Sequence, residues 1–291
     1  MTFFPLFLLL SIFLRGACFA EGQAILLTDE VQLKIADSFM EEKEYYRAVT
    51  EYKKYLILFP ASDKCAYARF RIGTAYYSGE EYESSAKAFA LLRQSGPEEY
   101  GVKCGYFEAL SYWKLKKLNE ATLTFRELAA THPQSELAPN ALAASSLVAL
   151  EKGDIAGSRA DMTLFIERYP LHPGWSRIRE ARSMLWEHES LPRKSRVLAS
   201  VMSAILPGSG YVYAGSFKDG ITAFIINGLA AAGVATGVHQ ENLAVSGIVA
   251  GVGLPFYFGN IYGSANAAGK WNAAAKEKHL DKIRNTLGFD F

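Results

Sequence analysis

Apolar residues return every three to four positions through residues 29–190, and one phrase comes round four times. EYYRAVTEYKKYLILFP, EYESSAKAFALLRQSGP, KLNEATLTFRELAATHP and GDIAGSRADMTLFIERYP each close on a proline. These are Pro60, Pro97, Pro133 and Pro170, spaced 37, 36 and 37 residues apart. Twelve positions before each proline stands a small residue (Ala48, Ser85, Ala121, Ser158), and eight before it a large apolar one (Tyr52, Phe89, Phe125, Met162). Upstream of each phrase lies a second helical pattern, as in FRIGTAYYSGEEY, where Ile72, Gly73 and Tyr76 share a face. The unit is a helical hairpin. Its small residue lets two helices approach, its large residue fills the space beside it, and its proline ends the second helix because it cannot donate the next hydrogen bond. One hairpin cannot bury its apolar face alone, so stacked copies share a continuous core. Residues 174–189, GWSRIREARSMLWEHE, read as a capping helix with Trp175, Ile178, Met184 and Leu185 inward.

The pattern changes after a basic linker at residues 191–196, LPRKSR. Residues 197–262 hold 11 of the chain's 24 glycines and only Lys218, Asp219 and Glu241 as formal charges. Two uncharged stretches, 221–238 and 243–262, approach the roughly 20 residues of helix that a bilayer core needs. The polar turn HQEN between them makes an antiparallel hairpin. Gly233 with Gly237, and Gly247 with Gly251, form small-residue ladders, which hold helices together where lipid supplies no hydrophobic drive. Such glycine-rich helices are poor formers in water, each Gly costing about 1 kcal/mol relative to Ala. Residues 263–291 follow as an amphipathic basic tail, with Trp271 near the interface. Overall the chain reads as all-α: a solenoid of helical hairpins at 29–190, then a membrane module at 197–262.

One stretch interrupts this module. In LPGSGYVYAG, residues 206–215, Pro207, Gly208 and Gly210 stop or kink the helix begun at residue 197 and leave carbonyls near residues 202–205 without helical partners. Backbone of that kind survives at membrane depth only where protein covers it or water reaches it. Residues 197–214 therefore form an interfacial turn, a re-entrant segment packed on the hairpin, or a kinked third span. Asn227 and Asn260 are intramembrane polar residues that line a pathway or bond across helices.

The repeat phrase resembles the tetratricopeptide repeat over roughly residues 29–173, most closely at Gly73, Tyr76, Gly79, Tyr82, Phe89 and Pro97, and less in the fourth copy, where Ser145 and Ser146 stand at usually apolar or small sites. Its long period and its P-x-S phrases are similar to repeats of bacterial envelope proteins. The resemblance implies a scaffold that binds a partner protein or peptide, and Tyr45, Tyr46, Tyr76 and Tyr77 are the aromatics that such a groove would use. LPGSGYVYAG, with Pro207, Gly208, Gly210, Tyr213 and Gly215, resembles the PGxGxxYxG membrane hairpins of small bacterial proteins over residues 199–272. FYFGNIYGSANAAGKWN is similar to the end of that module.

The N-terminal run MTFFPLFLLLSIFL is followed by Gly16, Ala17 and Ala20, so residues 1–20 read as a signal peptide cleaved after Ala20. LRGAC leaves lipidation at Cys18 as an alternative. After cleavage, Cys65 and Cys104 remain as a disulfide pair or as two thiols. Charge is balanced, 31 Lys and Arg against 30 Asp and Glu, which gives no electrostatic footprint for nucleic acid. The five His residues are scattered without zinc spacing, and neither a GxSxG nor a P-loop phrase occurs. No catalytic residue, metal ligand or cofactor is expected.

These features point to a non-enzymatic, membrane-anchored scaffold of the bacterial cell envelope. Its expected partners are an envelope protein or peptide, membrane lipids, and a second copy of itself through the glycine-rich spans. The alternative is a small oligomeric channel or lipid-handling module with the repeats as an accessory domain. A cleaved signal places the repeats on the periplasmic side, whereas the basic tail favours the cytoplasm. An odd number of crossings reconciles the two, with residues 197–214 as the third. The inner membrane is the expected location and the outer membrane the alternative.

Overall fold

The computed structural model describes residues 27–288. The signal-peptide reading of residues 1–20, with Cys18, lies outside the described residues. Those described form thirteen helices and no strand. The chain divides into two compact units between Tyr100 and Gly101.

The first unit holds two hairpins, α1 (Asp29–Glu41) with α2 (Tyr45–Leu58) and α3 (Cys65–Ser78) with α4 (Tyr82–Ser95). Thr28 caps α1 by accepting the Val31 N–H. Ala48, Tyr52, Ser85 and Phe89 are fully buried, as their recurrence predicts. Gly73 lies under the Phe89 ring, where a Cβ would stand 2.7 Å from ring carbons, and the Ser85 hydroxyl donates to the Gly73 carbonyl at 3.0 Å. The phenol of buried Tyr52 donates to Asp37 and accepts from Arg71 Nε at 3.0 Å, and Tyr67 donates to the same carboxylate at 3.0 Å. Burial, with the Asp37 hydrogen bond adding to it, pushes the Tyr52 pKa far above its ordinary value.

The second unit continues from Gly101 along α5 (Glu98–Lys114), then α6 (Leu118–Thr131), α7 (Leu137–Lys152), α8 (Ile155–Arg168) and the capping helix α9 (Trp175–Glu189). Ala121, Phe125, Ser158 and Met162 are again fully buried. In all four hairpins the second helix ends two residues before its proline, at Leu58, Ser95, Thr131 and Arg168. The fourth copy departs from the repeat phrase for a physical reason. Ser145 is fully buried because it donates to Asp161 at 2.6 Å, and Asp161 is held bidentately by Arg126 at 2.8 and 3.0 Å.

A further periodicity sits in the turns. Lys43, Glu80, Lys116 and Gly153 all have positive φ, between 59° and 83°, and recur with the spacing of the prolines. Only the fourth is a glycine, so the first three, which are charged, carry no turn signature in the sequence.

In α9, Ile178 and Leu185 are fully buried and Met184 nearly so, while Trp175 is half-buried and donates its indole N–H to the Ile166 carbonyl at 3.1 Å. The chain then forms α10 (Arg196–Ile205), the short α11 (Ser209–Ala214), α12 (Phe217–His239) and α13 (Leu243–Leu287). Helices α12 and α13 are long and apolar enough to cross a membrane, and only 11% of each one's most apolar window is buried within the chain.

Three features distinguish this part of the chain. First, the tail is no separate element, because α13 runs unbroken for 45 residues through the boundary drawn at residue 262. Its C-terminal part packs on α9: Ile283 and Leu287 are fully buried, His279 Nε2 meets the Met184 carbonyl at 2.8 Å, and Arg177 donates to the Gly288 carbonyl at 3.1 Å. Second, α10 has only 10 residues, about 15 Å of helix, and α11 only 6, so neither is long enough to cross a bilayer core by itself. Third, the two glycine ladders differ. Gly233 and Gly237 face Val249 and Ser246 across the hairpin, but Gly247 and Gly251 face open space, and Gly253 makes the return contact, to Ala230. No disulfide joins described residues, and Cys65 and Cys104 both remain thiols.

Candidate functional site

The four candidate tyrosines, Tyr45, Tyr46, Tyr76 and Tyr77, enclose no cavity. Tyr45 packs on Gly79, and the exposed Tyr46 donates its hydroxyl to Glu81 at 2.9 Å. The Tyr76 hydroxyl accepts from Lys53 at 2.9 Å, and Tyr77 meets Tyr82 edge-on with centroids 5.5 Å apart. Tyr45, Tyr46 and Tyr76 sit together beside Gly79 and Glu81, Tyr77 lies against Tyr82, and Tyr46 is 64% accessible.

The densest polar constellation lies at the broken helix. α10 runs antiparallel to α13, and the carbonyls released by Pro207 and its neighbours find partners one by one. Asn260 Nδ2 donates to Ser203 O at 3.0 Å and Tyr257 OH to Ala204 O at 2.7 Å, while the Leu206 N–H reaches back to Met202 O. Ser264 Oγ supports the same seam by donating to Ala199 O at 3.1 Å. On the other side of the break, Asn260 Oδ1 accepts the Gly208 N–H at 2.9 Å and Ser203 Oγ accepts the Gly210 N–H at 3.1 Å. Asn260, 4% exposed, thus clamps both ends of the interruption.

The glycines are required by contact. Gly208 has φ +88°, and a Cβ there would fall on the Gly220 carbonyl oxygen; a Cβ on Gly210 would fall on that of Ala199. α11 folds back along α10 until the Tyr213 hydroxyl accepts the Ser195 N–H at 3.0 Å. Gly215, at φ +92°, lies beside Trp271. Asn272 closes the upper end by pairing with both backbone groups of Lys194, at 2.8 and 2.9 Å, and the Lys194 ammonium sits 4.3 Å from the Trp271 ring centroid. The two motif halves of the sequence are therefore two sides of one joint. Asn227 takes no part in it: its Nδ2 donates to Ala223 O of its own helix at 2.7 Å. Ser203, Tyr257, Ser264 and Asn272 were not singled out by sequence, because serine and tyrosine in an apolar helix carry no signal until the facing carbonyl is known.

Beside this joint, α12 and α13 leave a cleft of about 800 Å³. Ser216, Asp219, Asn266, Lys270 and Trp271 stand at one end and Ile226, Asn227, Pro255 and Phe256 at the other, with Gly259 between. Among the described residues no three His, Cys, Asp or Glu side chains gather where they could hold a metal ion.

The architecture is that of an all-helical protein of consecutive helical hairpins followed by two long apolar helices. A tetratricopeptide-repeat family model matches residues 30–62, the first hairpin and its proline turn. No curated protein matches the chain. Repeats of this family are similar in role across proteins: they act as protein-binding scaffolds, with stacked hairpins presenting an extended surface.

Proposed function

We propose that the chain is a membrane-anchored, non-enzymatic scaffold of the bacterial cell envelope whose repeats capture a partner protein or peptide. One observation carries this reading: α13 is a single helix whose first part is apolar and uncovered and whose last part is buried against the capping helix of the repeats. An uncovered apolar hairpin of this length is stable in lipid and not in water, and the continuous helix holds the repeats at the bilayer surface. Exposed Val197, Val201 and Ile205 form one apolar face of α10, which enters the outer part of the bilayer beside α13 as a re-entrant segment. The open face with Gly247 and Gly251 is suited to a second copy.

In this reading two helices cross, the repeats and the end of α13 share one side, and HQEN lies on the other. The N-terminal apolar run favours the periplasm for the repeats. A second reading, with the repeats cytoplasmic, is favoured by Arg193, Lys194, Arg196, Lys218 and Lys270, all near the end of the hairpin that carries the repeats. The test uses a full-length chain with its native cysteines replaced and single cysteines at Leu171, Gln240 or Lys282, labelled by a membrane-impermeant maleimide in vesicles of known orientation. Leu171→Cys and Lys282→Cys are expected to label from one side and Gln240→Cys from the other, and the side labelled decides between the two readings. Labelling of all three from one side, or a chain that stays in the supernatant after ultracentrifugation without detergent, overturns the anchor. Partner capture is read by crosslinking through the repeats of the full chain, and absence of any crosslink dependent on Tyr46 and its surroundings removes the patch from the binding surface.

A further inference from the structure

We infer that Lys194 and Arg196, held against α13 at the start of α10, bind the headgroup of an anionic phospholipid whose acyl chain lies along the apolar face of α10. The inference rests on the membrane reading above and names the lipid that the anchor selects.

Both cations are fixed by the helix they lie on. The Arg196 guanidinium lies over Gly269, where a Cβ would stand 2.7 Å from Nε and from one terminal nitrogen. α13 is regular there, so the backbone itself does not call for a glycine. The missing side chain is what seats the guanidinium. The Lys194 ammonium rests 4.3 Å from the Trp271 ring centroid and 5.9 Å from that of Tyr213, and Asn272 holds both backbone groups of the same residue. Ser195 between them is extended, with φ −73° and ψ 123°, which sets the two Cα atoms about 7 Å apart.

Neither charge is answered within the described residues. Arg196 makes no hydrogen bond or ion pair there, and the Lys194 ammonium meets rings but no acceptor oxygen. The carboxylates of this part of the chain are engaged or turned elsewhere. Glu189 pairs with Arg159 at 2.8 Å, and Glu277 and Asp281 pair with Arg284 at 2.9 and 2.7 Å. Asp219 lines the cleft between α12 and α13, which neither Lys194 nor Arg196 borders. An ammonium beside a forked guanidinium, both held in place before binding, matches the oxygens of a phosphate.

What lies beyond the cations identifies the rest of the ligand. Val197, Val201 and Ile205, exposed to 73%, 48% and 81%, begin one residue after Arg196 and run for about 12 Å down α10. Inorganic phosphate would use the cations and leave this face bare. A phospholipid covers both, with its phosphate at the polar end of α10 and one chain along the valines. The headgroup must be anionic overall, because a choline ammonium beyond the phosphate would meet the same cations and the exposed Arg193 beside them.

The experiment is native mass spectrometry of the full chain released from nanodiscs of equal phosphatidylglycerol and phosphatidylcholine. A Lys or Arg at an anionic membrane surface is worth about fivefold in affinity, so two predict retention of phosphatidylglycerol about 25-fold over phosphatidylcholine. Lys194→Gln combined with Arg196→Gln, which leaves the backbone pairing with Asn272 in place, is expected to bring that ratio near parity. Gly269→Ala keeps every charge but pushes the guanidinium off its seat, and is expected to lower the ratio about fivefold. Lys282→Gln removes an exposed cation from the far part of α13 and is expected to retain the wild-type ratio. Equal retention of both lipids by the wild type, an undiminished ratio in the double variant, or an equal fall in Lys282→Gln overturns the inference. So does retention of inorganic phosphate in place of lipid by the chain in detergent. A chain that fails to enter the nanodisc at all instead refutes the membrane reading, so the two failures are distinguishable.

Discussion

Replacing Asn260 by leucine tests whether the broken helix is held as described. The substitution keeps an apolar side chain of similar size but strips partners from two backbone groups, the Gly208 N–H and the Ser203 carbonyl, both within hydrogen-bond distance of Asn260 now. A buried group left unsatisfied costs about 1–3 kcal/mol in water-soluble proteins, and hydrogen bonds between membrane helices measure about 0.6–1.7 kcal/mol. Two such losses give about 1.5–3 kcal/mol, roughly a ten- to hundredfold rise in the opened state at 1.4 kcal/mol per decade. Asn227→Leu is the matched comparison. Its only hydrogen bond goes to Ala223 O, which the helix ladder already serves, so its loss costs less than about 0.5 kcal/mol. The measurements are reversible SDS unfolding in lipid bicelles and amide hydrogen exchange of residues 203–215. Asn260→Leu is expected to shift the midpoint and speed exchange at Gly208 and Gly210, and Asn227→Leu to do neither. Equal stability of the two variants would falsify the assignment of Asn260 as the clamp.

Gly210→Ala drives a methyl group onto the Ala199 carbonyl and is expected to destabilise the chain by more than about 2 kcal/mol, while Gly247→Ala, facing open space, is neutral or stabilising by up to about 1 kcal/mol, both read by the same SDS titration. Within the repeats, Arg126→Met strands the nearly buried Asp161 carboxylate and costs about 3–5 kcal/mol; Asp161→Leu costs less, because Arg126 is about one-third exposed, and thermal unfolding ranks the pair. The docking of α13 on α9 weakens in acid. Burial first, then the neighbouring His279 and Lys276, and to a smaller extent Arg193, hold the His188 pKa below its usual 6.5 against the opposing pull of Glu189, so the folded state resists a proton that the unfolded chain accepts. The stability from this site is complete above pH 6.5 and falls as pH drops below it, by up to about 1.4 kcal/mol per unit. Hydrogen-exchange protection of residues 276–287 is expected to decline from pH 7.5 to 5.5, and His188→Gln to flatten that decline.

The repeat architecture was legible because proline, small and aromatic residues mark it at fixed distances, and every one of the eight small and large positions is buried. The left-handed turn residues were not, since Lys43, Glu80 and Lys116 adopt that conformation under the constraint of packed helices on both sides. The break at Pro207 was visible together with its unpaired carbonyls. Its partners on α13 were not, because Asn260 and Ser264 lie more than 50 residues away and meet it only through an antiparallel register that local pattern does not encode. Residues 263–287 read as an amphipathic basic tail near the membrane interface, and they continue α13. The apolar face with Ile283 and Leu287 instead finds α9, a choice set by tertiary contact.

At 1.5 Å per residue, the 45 residues of α13 make a rod about 68 Å long. Under the proposed membrane anchoring, a rod held by lipid at one end and by a capping helix at the other is a lever arm. In that reading, any tilt imposed on the hairpin by bilayer thickness swings the last two repeats through the same angle, and the far end becomes a mechanical readout of the membrane beneath it.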